Sequence, residues 1–237
     1  MKKPLVVLTG PTAVGKTKAS LGLAKALGGE IISADSMQVY QYMNIGSAKI
    51  RTKEMQGVPH FLVDVLKPWE EFHVVRFQQM AKAAMEGIYA RRHIPIVVGG
   101  TGFYIQALLY DIDFSENDGD ASYRQKLEQI AKERGERNLH ERLKAIDPAA
   151  ALKIHENNVK RVIRALEFYH QTGQRISEHN ERERQKESPY QFVYFVLNDD
   201  RKRLYERIDA RVDQMLKEGL VDEVAALRDM GCTRDMV

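Results

Sequence analysis

The stretch "VVLTGPTAVGKT", residues 6–17, constrains this chain more than any other. Gly10 to Thr17 satisfies G-x-x-x-x-G-K-[S/T] between an apolar run and a helical pattern, so a strand must turn into a helix through a loop shaped for phosphate. Glycines let backbone N–H groups converge on phosphate oxygens, and the helix N-terminus adds its dipole. Lys16 supplies a point charge, and the Thr17 hydroxyl suits a magnesium ligand. The expected diphosphate-binding residues are therefore Gly10, Pro11, Thr12, Ala13, Val14, Gly15, Lys16 and Thr17. Such a loop recognises a pyrophosphate group without specifying what carries it. ATP is the default occupant.

Further apolar runs bounded by turn residues fall at "GEIISADS", "HFLVDVL" and "IPIVVGGTG", with helical patterns between them. Strands alternating with helices indicate βαβ units. The expected fold class is α/β, a P-loop NTPase-like parallel sheet flanked by helices. Helix Thr17–Leu27 should stop at Gly28 and Gly29. From about Ser115 to Pro189 the sequence is charged and helical in pattern with no strong strand, which reads as a helical insertion domain. Within it "ASYRQKLEQIAKERG", "NLHERLKAI" and "NNVKRVIRALEFYHQTG" have helical patterns, and "HNERERQKESPY" reads as a polar, mobile connector. "YQFVYFVLND" then restores a strand, and one or two helices follow. The expected division is 1–114 with 190–237 as the core and 115–189 as the insertion.

An apolar fraction of 43% with 29% charged residues belongs to a globular protein, and no run approaches a transmembrane span. The lone Cys232 excludes an intrachain disulfide framework and a multi-cysteine zinc site, which fits a reducing, cytoplasmic location. A formal charge of +3 neither requires nor excludes a nucleic-acid partner. Because "RDMGCTRDMV" follows an amphipathic helix without a closing element, the chain is expected to be a fragment of a longer protein.

Catalytic chemistry beside the phosphate loop calls for an acid, and Asp35 and Asp64 are the options. Asp35 is the better placed, because it closes a strand and so lies at the carboxyl edge of a parallel sheet, where ligands bind. A strand-end turn cap is the ordinary alternative for such an aspartate. Its neighbours Ser33, Ser36 and Gln38, with Tyr40 beyond, favour chemistry. Gly99-Gly100-Thr101-Gly102 ends another strand and would bring the Thr101 hydroxyl to the same edge. The seven histidines lack metal-ligand spacing, and Trp69, which could stack on a base, reads rather as a packing aromatic in a loop.

Taken in order, "GPTAVGKT", "ISADSMQVYQYMNIGSAK", "IPIVVGGTGFYIQALL" and "NNVKRVIRALEFYHQTG" resemble the tRNA dimethylallyltransferase family over nearly the whole chain. The resemblance implies magnesium-dependent transfer of a dimethylallyl group from dimethylallyl diphosphate to N6 of an adenosine adjacent to the anticodon of tRNA. The catalytic set it implies is Asp35 as the base accepting the N6 proton, Lys16 and Thr17 on the diphosphate, with Mg2+ at Thr17, and Arg211 from a C-terminal helix. Arg207, four residues earlier on the same helical face, is the competing arginine. Asp35, Ser36, Met37, Gln38 and Thr101 match positions that contact the target nucleoside. Lys160, Arg161 and Arg164 match a tRNA-contacting segment; alone they would read as a solvated charged face. A monomer without membrane association is expected. An ATP-dependent small-molecule or nucleoside kinase is the alternative, and an RNA-binding module with a vestigial loop is a third reading.

Overall fold

Side chains alternate between the two faces of a strand, so a sheet covered on both faces requires strands that are apolar throughout. The first run does this: Leu5, Val6, Val7 and Leu8 of β1 (Lys3–Thr9) are all buried. Our structure is a computed structural model that describes residues 2–114 and 121–233. The chain divides into two compact units, Met1–Asp111 with Ser188–Val237, and Ile112–Glu187.

In the first unit β1 leads into α1 (Lys16–Leu27), which ends at Gly28 in the left-handed conformation at φ 59°. Then follow β2 (Gly29–Ser33), β3 (His60–Phe61), α2 (Val74–Ala90), β4 (Ile94–Gly99) and α3 (Gly102–Leu109). The second unit holds α4 (Ala121–Arg134), α5 (Glu136–Ile146), α6 (Pro148–Lys153), α7 (Val159–Thr172) and α8 (Ile176–Gln185). The chain then re-enters the first unit as β5 (Tyr190–Val196), α9 (Arg201–Lys217) and α10 (Leu220–Asp229). The strands form one parallel sheet in the order β3-β2-β4-β1-β5. This is the expected α/β arrangement of a parallel sheet with helices against it.

One face of the sheet presents Val6, Ile31 and Ile96, which pack with Leu21 and Ala24 of α1. On the other face Leu5, Val7, Ile32 and Val97 meet Phe77, Ala81, Met85 and Ile88 of α2 and Tyr104, Ile105 and Leu108 of α3. Phe77 and Tyr104 stack with centroids 4.7 Å apart, and Phe72 meets Tyr104 edge-on at 5.7 Å. A small separate cluster of Val39, Tyr40, Met43 and Leu66, joined by Met37, Phe72 and Leu227, seats the loop after β2.

In the second unit Leu127, Leu139, Leu143, Val162, Ile163, Ala165 and Leu166 form the core. Asp147, 2% exposed, caps α6 through the Ala150 N–H at 3.0 Å and accepts the Ser177 N–H and hydroxyl at 2.9 and 2.6 Å. Arg124 grips Glu167 of α7 at two points, 2.9 and 2.8 Å.

Two expectations need correction. "HFLVDVL" supplies only the two-residue β3, because Leu62 and Asp64 adopt φ of 60° and 62°, incompatible with a continuing strand. "HNERERQKESPY" is not a mobile connector over most of its length: α8 runs to Gln185. Its polar residues are held, with Glu183 accepting the Asp113 N–H at 2.9 Å and the Lys186 ammonium at 2.7 Å. The C-terminal pattern resolves into two helices, parted at Gly219 with φ 98°.

Candidate active site

Register sets the ends of β1, β2 and β4 side by side: Thr9 pairs with Gly99, and Ser33 with Val98. Three loops therefore leave the same carboxyl edge, carrying the phosphate loop, Asp35 and Thr101. The loops are fastened at their roots. Gly99 lies so close to the end of β2 that a Cβ there would sit 2.1 Å from the Ala34 carbonyl oxygen. Beside it Thr9 Oγ1 donates to the Gly99 carbonyl at 2.9 Å, and the Thr101 N–H reaches the Ala34 carbonyl at 3.3 Å. Gly10, at φ 148°, approaches Leu197 equally closely, its notional Cβ 2.4 Å from that carbonyl. Any side chain at Gly10 or Gly99 would force backbone apart.

The phosphate loop then winds through Ala13 at φ 64° and Gly15 at φ 97° into α1. Pro11 and Thr12 are exposed and Val14 is half-buried. The Lys16 ammonium folds back on the loop and donates to the carbonyls of Gly10 and Pro11, both at 2.8 Å. An ammonium carries three protons, so one remains for an incoming anion. Burial holds the Lys16 ammonium below the usual lysine range; the Asp35 carboxylate opposes that effect and the Arg211 guanidinium adds to it. The Asp35 carboxylate and the Arg211 guanidinium thus both lie within electrostatic reach of the Lys16 ammonium.

Asp35 does two things with its two oxygens. Oδ1 accepts the N–H groups of Met37 at 2.8 Å and Gln38 at 3.2 Å, the turn cap that is the ordinary role for such an aspartate. Oδ2 has no hydrogen-bond partner among the described residues and is available to a substrate. Ser36 is half-exposed, Met37 packs on the small loop cluster, and the Gln38 amide reaches the carbonyls of Ser47 and Ala48 at 3.4 Å. Thr101, half-exposed, precedes α3 without its side chain capping that helix. The other acid considered, Asp64, is engaged elsewhere: it pairs with the buried Lys49 ammonium at 2.7 Å.

Arg211 on α9 is half-buried and without an ion-pair partner among the described residues, whereas Arg207 is bound to Asp199 at 2.9 Å. That contrast separates the two arginines that spacing alone leaves equivalent. In the second unit, Lys160, Arg161 and Arg164 line the exposed side of α7, opposite buried Val162, Ile163, Ala165 and Leu166, and none of the three has an acidic partner among the described residues. A correction concerns Trp69: at 54% exposure it is no packing aromatic, because the Lys67–Glu70 turn holds it at the surface. Spacing also missed Lys49 and Glu223, whose partners are brought to them only by the fold.

The residues present suit magnesium. Thr17 is exposed at the start of α1, and its hydroxyl, a hard oxygen donor, has no hydrogen-bond partner among the described residues. No group of three or more His, Cys, Asp or Glu could hold a metal among the described residues. A lone hydroxyl donor fits an ion that keeps several waters and takes its remaining ligands from a bound diphosphate.

Residues 38–236 match the family described as IPP transferase, and residues 3–65 match isopentenyl transferase. The chain belongs to the IPP transferase family. A relative from Lachnoclostridium phytofermentans, described as tRNA dimethylallyltransferase, is 60% identical over 235 residues, covering 99% of this chain and 75% of the relative. Among solved IPP transferase structures, the full-length tRNA isopentenylpyrophosphate transferase of Bacillus halodurans is 46% identical with a TM-score of 0.68, covering 99% of this chain and 72% of that one. A eukaryotic dimethylallyltransferase acting on tRNA is 34% identical with a TM-score of 0.83, covering 96% of this chain and 56% of that one.

Proposed function

We infer that this IPP transferase family member is a tRNA dimethylallyltransferase: it moves the dimethylallyl group of dimethylallyl diphosphate to N6 of an adenosine adjacent to the anticodon and releases pyrophosphate. The observation that carries the reading is that the Asp35 carboxylate, one oxygen of which has no hydrogen-bond partner among the described residues, and the Arg211 guanidinium both act on the Lys16 ammonium of the phosphate loop. The names of the relatives favour this transfer over the alternative of an ATP-dependent kinase.

The chemistry divides between these groups. As the allylic C1–O bond breaks, negative charge grows on the departing diphosphate, where the Lys16 ammonium, the loop from Gly10 to Thr17 and the Arg211 guanidinium stabilise it. Adenine N6 forms the new bond to C1, and its proton passes to Asp35 Oδ2. That transfer matters because the N6 lone pair is delocalised into the ring and is a poor nucleophile until the proton leaves. Bound at Thr17, Mg2+ would supply further charge neutralisation on the diphosphate oxygens. Ser36, Met37, Gln38 and Thr101 would receive the nucleoside. Withdrawing the target base from a folded anticodon loop needs a grip on the flanking RNA, the role suited to Lys160, Arg161 and Arg164.

A monomer is the catalytic form we propose. No helix among the described residues is long and apolar enough to cross a membrane, and a cytoplasmic setting, where tRNA is handled, is the location we propose. The test incubates the protein with magnesium, dimethylallyl diphosphate and an anticodon stem-loop with an adenosine-rich 3′ side, and reads the RNA by mass spectrometry. One added dimethylallyl group on adenosine is the expected result. RNA of unchanged mass, together with phosphorylation of a nucleoside from ATP, would replace the transferase with the kinase.

A further inference from the structure

The loop that follows Asp35–Gln38 is held by a carboxylate from far along the chain. Glu223 of α10 accepts three consecutive backbone N–H groups, those of Asn44 at 2.7 Å and Ile45 at 2.8 Å through Oε2 and that of Gly46 at 3.0 Å through Oε1. Successive amides turned toward one point make a concave anion site of the kind that elsewhere takes phosphate. Here a side chain of the same protein fills it. Charge-assisted bonds to a carboxylate are the stronger class of hydrogen bond, and three of them fix this backbone segment.

The fixed segment is connected to the nucleoside side of the site. The buried Lys49 ammonium ties the loop across its neck, bonding the Tyr40 carbonyl at 2.5 Å, Asn44 Oδ1 at 3.0 Å and Asp64 Oδ1 at 2.7 Å. Just past Gly46, the Ser47 and Ala48 carbonyls receive the Gln38 amide, and Ser47 Oγ donates to the Met43 carbonyl at 2.5 Å. Leu227, one turn beyond Glu223, packs on the cluster of Val39, Tyr40 and Met43 that Met37 also joins. Arg51 pairs with Glu218 at 2.7 Å, a second tie between this loop and the turn before α10. The same helical pair also serves the diphosphate side, because α9 carries Arg211 and is joined to α10 through Gly219.

We propose that Glu223 is a positioning residue for the acceptor nucleoside: by clasping the amides of Asn44, Ile45 and Gly46 it holds Met37 and Gln38 in place beside Asp35, while α9 presents Arg211 to the diphosphate. This rests on the transferase reading. Both Glu223 carboxylate oxygens are taken by loop amides rather than turned to a reacting group, so its removal should act first on the acceptor side, where that loop lies.

The test compares the unaltered protein with Glu223→Ala and Glu223→Gln in steady-state transfer from dimethylallyl diphosphate to anticodon stem-loop RNA. In Glu223→Ala the KM for RNA should rise about tenfold with the KM for the donor unchanged, the signature of lost acceptor positioning. Glu223→Gln, which keeps one accepting oxygen, should fall between. Amide exchange across residues 43–47 should quicken in both variants, with melting midpoints close to that of the unaltered protein. An unchanged RNA KM overturns the proposal, as does a rise in both KM values accompanied by a lowered midpoint. If Glu223→Ala does not fold, Glu223→Gln decides by the same pair of constants. Absence of transfer by the unaltered protein overturns the transferase reading and this proposal with it; transfer with an unchanged RNA KM in the variants overturns the proposal alone.

Discussion

Asp35 offsets, at Lys16, the depression of the ammonium that burial produces, so the candidate base and the phosphate-loop cation are electrostatically coupled although they leave different strands. Among the described residues, only Oδ1 of Asp35 is used by the fold. Asp35→Asn keeps an oxygen for that cap and removes the carboxylate, so it isolates proton acceptance. Its turnover should fall by about a hundredfold to ten-thousandfold, with RNA affinity and melting midpoint nearly unchanged. Turnover equal to that of the unaltered protein would remove the base from the mechanism.

The two arginines of α9 should separate cleanly. Arg207 is tied to Asp199 at 2.9 Å with half its side chain exposed, so Arg207→Ala should leave turnover within about twofold and change stability little. Arg211 has no such partner among the described residues and is coupled to Lys16. Arg211→Ala should lower kcat by about a hundredfold, the scale of losing one group that stabilises a leaving charge. Similar losses for both variants would mean that the helix, rather than the guanidinium, is what turnover needs.

How much of this was legible before folding depends on how local each signal is. The phosphate loop is readable because strand, loop and helix follow one another within a dozen residues, and each glycine answers a local geometric demand. "HFLVDVL" misleads for the complementary reason: its apolar run is strand-like, yet Lys49, fifteen residues earlier, binds Asp64 where that residue takes a left-handed turn. The polar connector hides a helix because one of the two groups that hold Glu183, the backbone N–H of Asp113, lies seventy residues away. Arg211 and Arg207 share a helical face, and they are told apart by the ion pair that Arg207 makes with Asp199 and by the effect of Arg211 on Lys16 of a distant loop. Glu223 has no local signal at all, since its three partners lie 177 to 179 residues earlier.

The exposed basic side of α7 invites a salt test. Lys160, Arg161 and Arg164 lack acidic partners among the described residues, so their charges are available to phosphates. Replacing Arg161 and Arg164 together by Ala should weaken RNA binding and reduce the slope of log K against log salt by about 1.4, the counterions that two single-strand phosphate contacts release. Fluorescence anisotropy of labelled stem-loop RNA between low and moderate salt measures both. An unchanged slope would place the RNA grip elsewhere.

A last prediction concerns acid stability and the opposite end of the sheet from the candidate site. Glu30 of β2 is 2% exposed and is held by Arg91 at 2.9 and 2.6 Å and by His93 at 2.6 Å. The Arg91 guanidinium pulls the Glu30 carboxyl below its usual range; burial works against it and His93 assists. A carboxyl whose folded pKa lies below its unfolded value contributes its full stabilisation above the unfolded value, about 4.3, and loses it as pH falls through the folded one. The protein should therefore weaken on acidification below about pH 4.3, with protons entering the unfolded chain first. Glu30→Gln removes the charge, leaves Arg91 half-exposed and able to hydrate, and should cost about 1–3 kcal/mol at neutral pH. Because the variant has nothing to titrate at this position, its loss relative to the unaltered protein should shrink as pH falls through that window. Urea unfolding at pH 7 and at successive steps below pH 5 measures the difference; a gap that stays constant with pH would show that packing, not the Glu30 charge, is what Arg91 and His93 sustain.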